Sequence, residues 1–183
     1  MSEGPIELRR GARLLGHLAW TEQQLHAVVG AWVLDTPEPA AAVALDRQAL
    51  HHAWRAATLV DRLPRLRELP RDELVASPSD DVRVGLESLA ATAGTGGRLA
   101  GLLDVVVPCL LGAYRGLGAR LTPVADAPLQ RWLPLVEADL LADATAVAEV
   151  RVDVSPGGTA PDAIRRAFGT PDALAGATGL RLA

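Results

Sequence analysis

Two stretches of helical periodicity, joined by residues that cannot continue a helix, constrain this chain more than any other feature of its sequence. Between residues 8 and 34, Leu14, Leu15, Leu18, Leu25, Val28, Val29 and Trp32 recur near every 3.6 residues, the spacing of an amphipathic helix. The segment Asp35-Thr36-Pro37-Glu38-Pro39 ends that pattern, and Pro39 opens a second helix that runs to about residue 63 before Pro64 stops it. So short a connection sets the two helices side by side and antiparallel.

The next stretch, PRLRELPRDELVASPSDD (64–81), carries three prolines and no sustained period. It reads as a long connection holding at most a turn of helix. Ser79 or Asp80 is placed to cap a short helix over 82–92. Gly94-Thr95-Gly96-Gly97 then leads into a strongly apolar helix over 98–121, which Pro108 should kink. After Thr122–Asp126, a fourth long helix is expected over 127–148, with Asp126 as N-cap and Pro134 in its second turn. Glu149-Val150-Arg151-Val152-Asp153-Val154 alternates with period two, as a short strand or extended segment does. Ser155-Pro156-Gly157-Gly158 reads as a turn, and 161–168 as a small helix ending at Gly169. The expected fold class is all-α: a four-helix bundle over 1–148, with its long connection between helices 2 and 3, and a C-terminal extension over 149–183 that packs on the bundle or on a partner. An up-down-up-down order remains the alternative topology.

A chain of 183 residues suits one core, and 49% apolar with 22% charged residues suits a soluble globular protein. Its basic residues are all arginine; without lysine there is no Schiff-base or P-loop chemistry. A net charge of −4 gives no footprint for nucleic acid. The arginines at 9, 10 and 13, and at 62, 65, 67 and 71, read as solvated helix ends. Cys109 is the one cysteine and has no partner for an intrachain disulfide, which fits a reducing compartment. The N-terminus lacks an apolar signal region, and no run reads as a membrane span. These features give the expectation of a cytoplasmic protein that binds neither membrane nor nucleic acid.

The residues able to carry chemistry are few. His51 and His52 are adjacent in ALDRQALHHAWRA (44–56), so on a helix they diverge by about 100° and cannot easily share a metal. Gln48 lies three residues before His51 and shares its face, which makes His51 the histidine expected inside and His52 the one expected against a neighbouring helix or solvent. Glu22 and His26 share a face of the first helix, and Glu137 is the carboxylate nearest the middle of the fourth.

This arrangement resembles the ferritin-like superfamily, whose di-iron members take one Glu from each of two helices and Glu-x-x-His from each of the other two. The resemblance spans about residues 14–148 and implies a degenerate member. Glu22 matches the single Glu of the first helix. Gln48-Ala-Leu-His51 matches Glu-x-x-His with an amide in place of the carboxylate. Glu137-Ala-Asp-Leu140 matches the second motif with leucine in place of histidine. The third helix supplies no Glu; Asp104 and Tyr114 are its polar titratable residues. A di-iron pair needs several anionic ligands, and this set falls short. The resemblance therefore implies a bundle that has lost its metal centre, needs no cofactor and acts through protein contacts, as a homodimer or with another protein. The alternative is an iron-dependent oxidoreductase or hydroxylase with an atypical site, for which Glu22, His26, Gln48, His51 and Glu137 are the ligands to test. A mononuclear site from Glu22, His26 and His51 is one form of it.

HLAWTEQQLH (17–26) is also a little similar to the His-containing helix of DinB-like bundles. Those proteins need a late His-x-x-x-His pair, and no histidine follows His52. GTGGRLAG (94–101) lacks both the spacing and the preceding strand of a nucleotide loop, and no serine sits in a GxSxG context. Trp20, Trp32, Trp54 and Trp132 read as core or interface residues. A third class of function, a small-molecule carrier, would need an apolar pocket.

Overall fold

The structure is a computed structural model that describes residues 6–65, 67–154 and 160–182. It is all-helical. The first two helices, α1 (Leu8–Leu34) and α2 (Pro39–Arg62), lie where the periodicity and prolines put them and pack along each other as an antiparallel hairpin. A single turn, α3 (Arg71–Leu74), and a short helix, α4 (Asp80–Ala90), occupy the connection. Ser79 caps α4 by accepting the Val82 amide at 3.2 Å.

The apolar third segment runs from Thr95 to Gly118 in three pieces: α5 (Thr95–Gly101), a π-helical turn over Leu102–Val106, and α6 (Val107–Gly118). Pro108 explains the wide turn. It has no N–H to give and its ring crowds the preceding turn, so the backbone widens and the Val107 amide reaches back to the Leu102 carbonyl. This segment corrects the expectation that no run approaches a membrane span: by length and composition it is apolar enough to cross one. Instead 61% of its most apolar window is buried, as in the core helix of a soluble protein.

The last long helix, α7 (Ala127–Asp153), packs along both α2 and α6. One expectation holds in part there and one fails. Asp126 holds the N-cap position, but its carboxylate makes no capping bond and turns back to accept the Thr122 amide and hydroxyl. The alternating residues 149–153 are helical rather than extended, because an established helix gains one hydrogen bond per residue added and nothing breaks it before Asp153. Arg151 there donates to Asp104 at 2.7 Å. The turn expected at Ser155–Gly158 lies outside the described residues.

Residues 160–182 wrap back over the helices. A short α8 (Asp162–Ala167) packs on α4, and 3₁₀ turns over Pro171–Leu174 and Gly176–Thr178 lie against α6 and α1. Glycines permit close approaches here: a Cβ at Gly16 would collide with the Leu74 carbonyl, and one at Gly116 with the backbone of Leu182. His17 of α1 donates to the Ala175 carbonyl, and burial holds its pKa below the ordinary value. The core shared by α1, α2, α5, α6 and α7 includes Leu18, Leu25, Leu45, Leu59, Leu99, Leu110, Val136 and Leu140, all fully buried. Each large aliphatic side chain buried in this way contributes about 1.5–3 kcal/mol.

Candidate functional site

On α2, Gln48, His52, Arg55 and Leu59 follow one another at helical spacing and are all buried. That is an inward face, and three of its four side chains are polar. Opposite them stand Glu22 of α1, Tyr114 of α6 and Asp143 of α7, each also buried. Asp143 takes a position in the apolar stripe Val136, Leu140, Val147 of its helix.

Glu22 is the centre of this group. Its Oε1 accepts Arg55 Nε at 2.9 Å and the Tyr114 hydroxyl at 2.6 Å, and its Oε2 lies 2.5 Å from His52 Nδ1. Burial alone would raise the Glu22 pKa. The positive charge of Arg55 and the neighbouring His52, with the hydrogen bonds from His52 and Tyr114, outweigh burial and hold it down to about 2. Burial pushes His52 below its ordinary value against the pull of Glu22, so the imidazole is neutral at pH 7 and Arg55 supplies the balancing charge. Burial also disfavours charge on Arg55, but Glu22 more than compensates and raises its pKa. Burial and the Glu22 charge together keep Tyr114 protonated, its pKa well above the ordinary value.

His52 Nδ1 also lies 2.9 Å from Arg55 Nη2. One nitrogen cannot donate to the carboxylate and accept from the guanidinium at once. A carboxylate offers only lone pairs, so the 2.5 Å contact assigns the proton to Nδ1 and leaves Nε2 as an acceptor. That Nε2, Arg55 Nη1 and both polar atoms of the Gln48 amide find no hydrogen-bond partner among the described residues. A further set of charges reaches towards the surface: His51 Nδ1 donates to both oxygens of Asp143, at 2.9 and 3.0 Å, and Arg47 Nε stands 3.7 Å from the same carboxylate. Tyr114 meets Trp132 edge-on at 5.8 Å, and Trp132 in turn contacts Trp54 at 6.1 Å.

The five candidate ligands are not gathered in one place. Glu22 is in the buried network. His26 Nδ1 donates to the Ala49 carbonyl, and Gln48 is buried without a partner among the described residues. His51 belongs to Asp143, and Glu137 accepts from Arg115 on the outside of α6 and α7. The two adjacent histidines also exchange the places expected of them: His52 is wholly buried and His51 is partly exposed. The phase of α2 that buries Gln48 carries His52, four residues on, inward with it, and turns His51 to the edge beside α7. Sequence reasoning missed Arg55 and Asp143. Among the described residues, no three His, Cys, Asp or Glu side chains are grouped to hold a metal ion.

Chemically, the arrangement is an ion network whose central carboxylate is saturated, although polar atoms of Gln48, His52 and Arg55 around it lack partners among the described residues. Glu22, the carboxylate best placed to act as base or ligand, already accepts three hydrogen bonds. The nearest thiol, Cys109, instead donates to the Thr170 carbonyl, and burial raises its pKa to about 12, so it is no nucleophile. No family model, no curated protein and no solved structure matches the chain.

Proposed function

We propose that this chain is a ferritin-like four-helix bundle that has lost its metal centre and acts through protein–protein contacts, as a cytoplasmic homodimer. One observation carries the reading: the guanidinium of Arg55 is bonded to Glu22 in the middle of the interior, where a ferritin-like protein would hold iron. The iron that this family implies does not fit these residues. A fixed cation already neutralises Glu22, both carboxylate oxygens are engaged, and a divalent ion beside Arg55 would add like-charge repulsion in a medium that screens it poorly. What remains of the donor set is a neutral imidazole, an amide and Asp143, whose two oxygens already accept from His51, one carboxylate where iron sites use several anionic oxygens. No step of oxygen chemistry is derived from it.

With the interior closed to chemistry, the surface becomes the functional part. Val43, Leu50 and Trp54 recur at i, i+7 and i+11 on the outer side of α2, 71%, 59% and 41% exposed. A stripe of this spacing on a long helix is the pattern by which one helix packs on another. Sedimentation velocity tests the reading. A dimer is expected for the native chain and a folded monomer for Leu50→Glu. A native chain that sediments as a monomer at every accessible concentration contradicts it.

A further inference from the structure

At one end of the molecule, away from the ion network, the ends of four helices enclose a cavity of about 510 Å³. That volume lies within the range of small-molecule sites. Its walls are apolar: Gly11, Ala12 and Leu15 from α1, Leu117 and Leu121 from the end of α6 and the residues after it, and Leu129 from α7. Gly11 and Ala12 create the room, because larger residues one turn before Leu15 would fill it. A Cβ added at Gly11 would meet only the Ile6 side chain, at 3.4 Å.

The chemistry of the mouth selects the ligand. Helices α1 and α7 begin here and α2 and α6 end here, so two positive and two negative helix termini offset one another. Formal charges then decide: the carboxylates of Glu7, Asp61 and Asp126 face one guanidinium, Arg62. We propose that this cavity binds a small cationic amphiphile, an alkyl or aryl chain in the apolar walls with an ammonium group among the carboxylates. Asp126 is tied to Thr122, which leaves Glu7 and Asp61 as the groups nearest free to meet the ammonium. The site shares no residue with the Glu22 network and does not depend on whether the interior once held a metal.

Isothermal titration of the full chain with three ten-carbon probes below their micelle concentrations tests this: decyltrimethylammonium, decanol and decanoate. The expected result is one decyltrimethylammonium per chain, bound at least about tenfold more tightly than decanoate, with decanol between them. Gly11→Leu, checked by circular dichroism to be folded, should abolish all binding, and Leu121→Trp serves in its place if Gly11→Leu does not fold. Asp61→Arg, which leaves two carboxylates against two guanidinium groups, should abolish the preference for the cation over the anion. Equal affinity for the cation and the anion, no binding of any probe, or undiminished binding in the folded cavity-filling variant would each overturn the proposal.

Discussion

Two ion pairs in this molecule have nearly the same geometry and very different surroundings. Arg55 meets Glu22 at 2.9 Å with both side chains fully buried. Arg115 meets Glu137 at 3.0 Å with side chains 57% and 32% exposed. Bond length therefore says little about what either pair does. Outside, water competes for both groups and screens them, and the pair is worth roughly 0–1 kcal/mol. Inside, neither charge has an alternative partner in solvent, so each fixes the position of the other and of the helices that carry them. The inner pair ties α1 to α2, and through the Tyr114 hydroxyl it ties α6 to both. The outer pair adds a contact between two helices that already pack.

The largest expected effect comes from breaking the inner pair on one side. Arg55→Met leaves Glu22 charged and buried, and urea unfolding should show a loss of about 3–5 kcal/mol. Adding Glu22→Leu should recover most of that loss, because the double variant buries neither charge of this pair. A double variant no more stable than Arg55→Met would mean that the pair is not coupled as described.

Acid should have the next largest effect. Glu22 is held to about 2 in the folded protein against an ordinary 4.5, so its contribution is complete above pH 4.5 and drains away as the pH falls towards 2. The shift corresponds to about 3 kcal/mol. His52 and His17 act earlier. Both are held below 6.5 by burial, the unfolded chain takes up their protons first, and stability declines as the pH falls through the region below 6.5. Thermal melts across pH 7 to 3 should show both phases, and Glu22→Gln should remove the lower one. A melting temperature independent of pH over that range would contradict the assigned charges.

At the small end, Glu137→Gln should change stability by no more than about 0.5 kcal/mol. A cost near that of Arg55→Met would erase the contrast between the two pairs.

The fold was more legible in the sequence than the site. Prolines and a 3.6 period put the ends of α1 and α2 within a residue of their places, since both signals act locally. Residues 149–154 misled because six alternating residues are too few to outweigh the helix they extend, whereas the small helix expected over 161–168 is present as Asp162–Ala167. Glu22 and Gln48 were legible as inward residues. Arg55 was not, because an isolated arginine is ordinarily a surface residue, and only its i, i+3 and i, i+7 relation to His52 and Gln48 shows that it shares their buried face. Asp143 carried a similar signal, standing in the stripe of Val136, Leu140 and Val147, while Glu137 was favoured for its place in the middle of the helix. What no local pattern encodes is which carboxylate meets which cation across the interior.

The account rests on Arg55 standing where iron would be held, and metal content tests that most directly. The untagged protein would be loaded anaerobically with Fe(II), freed of excess metal and analysed by mass spectrometry. The account predicts no stoichiometric iron, in the native chain as in His52→Ala. About one or two irons per chain, lost in His52→Ala, would contradict it and return the chain to the iron-dependent oxidoreductases.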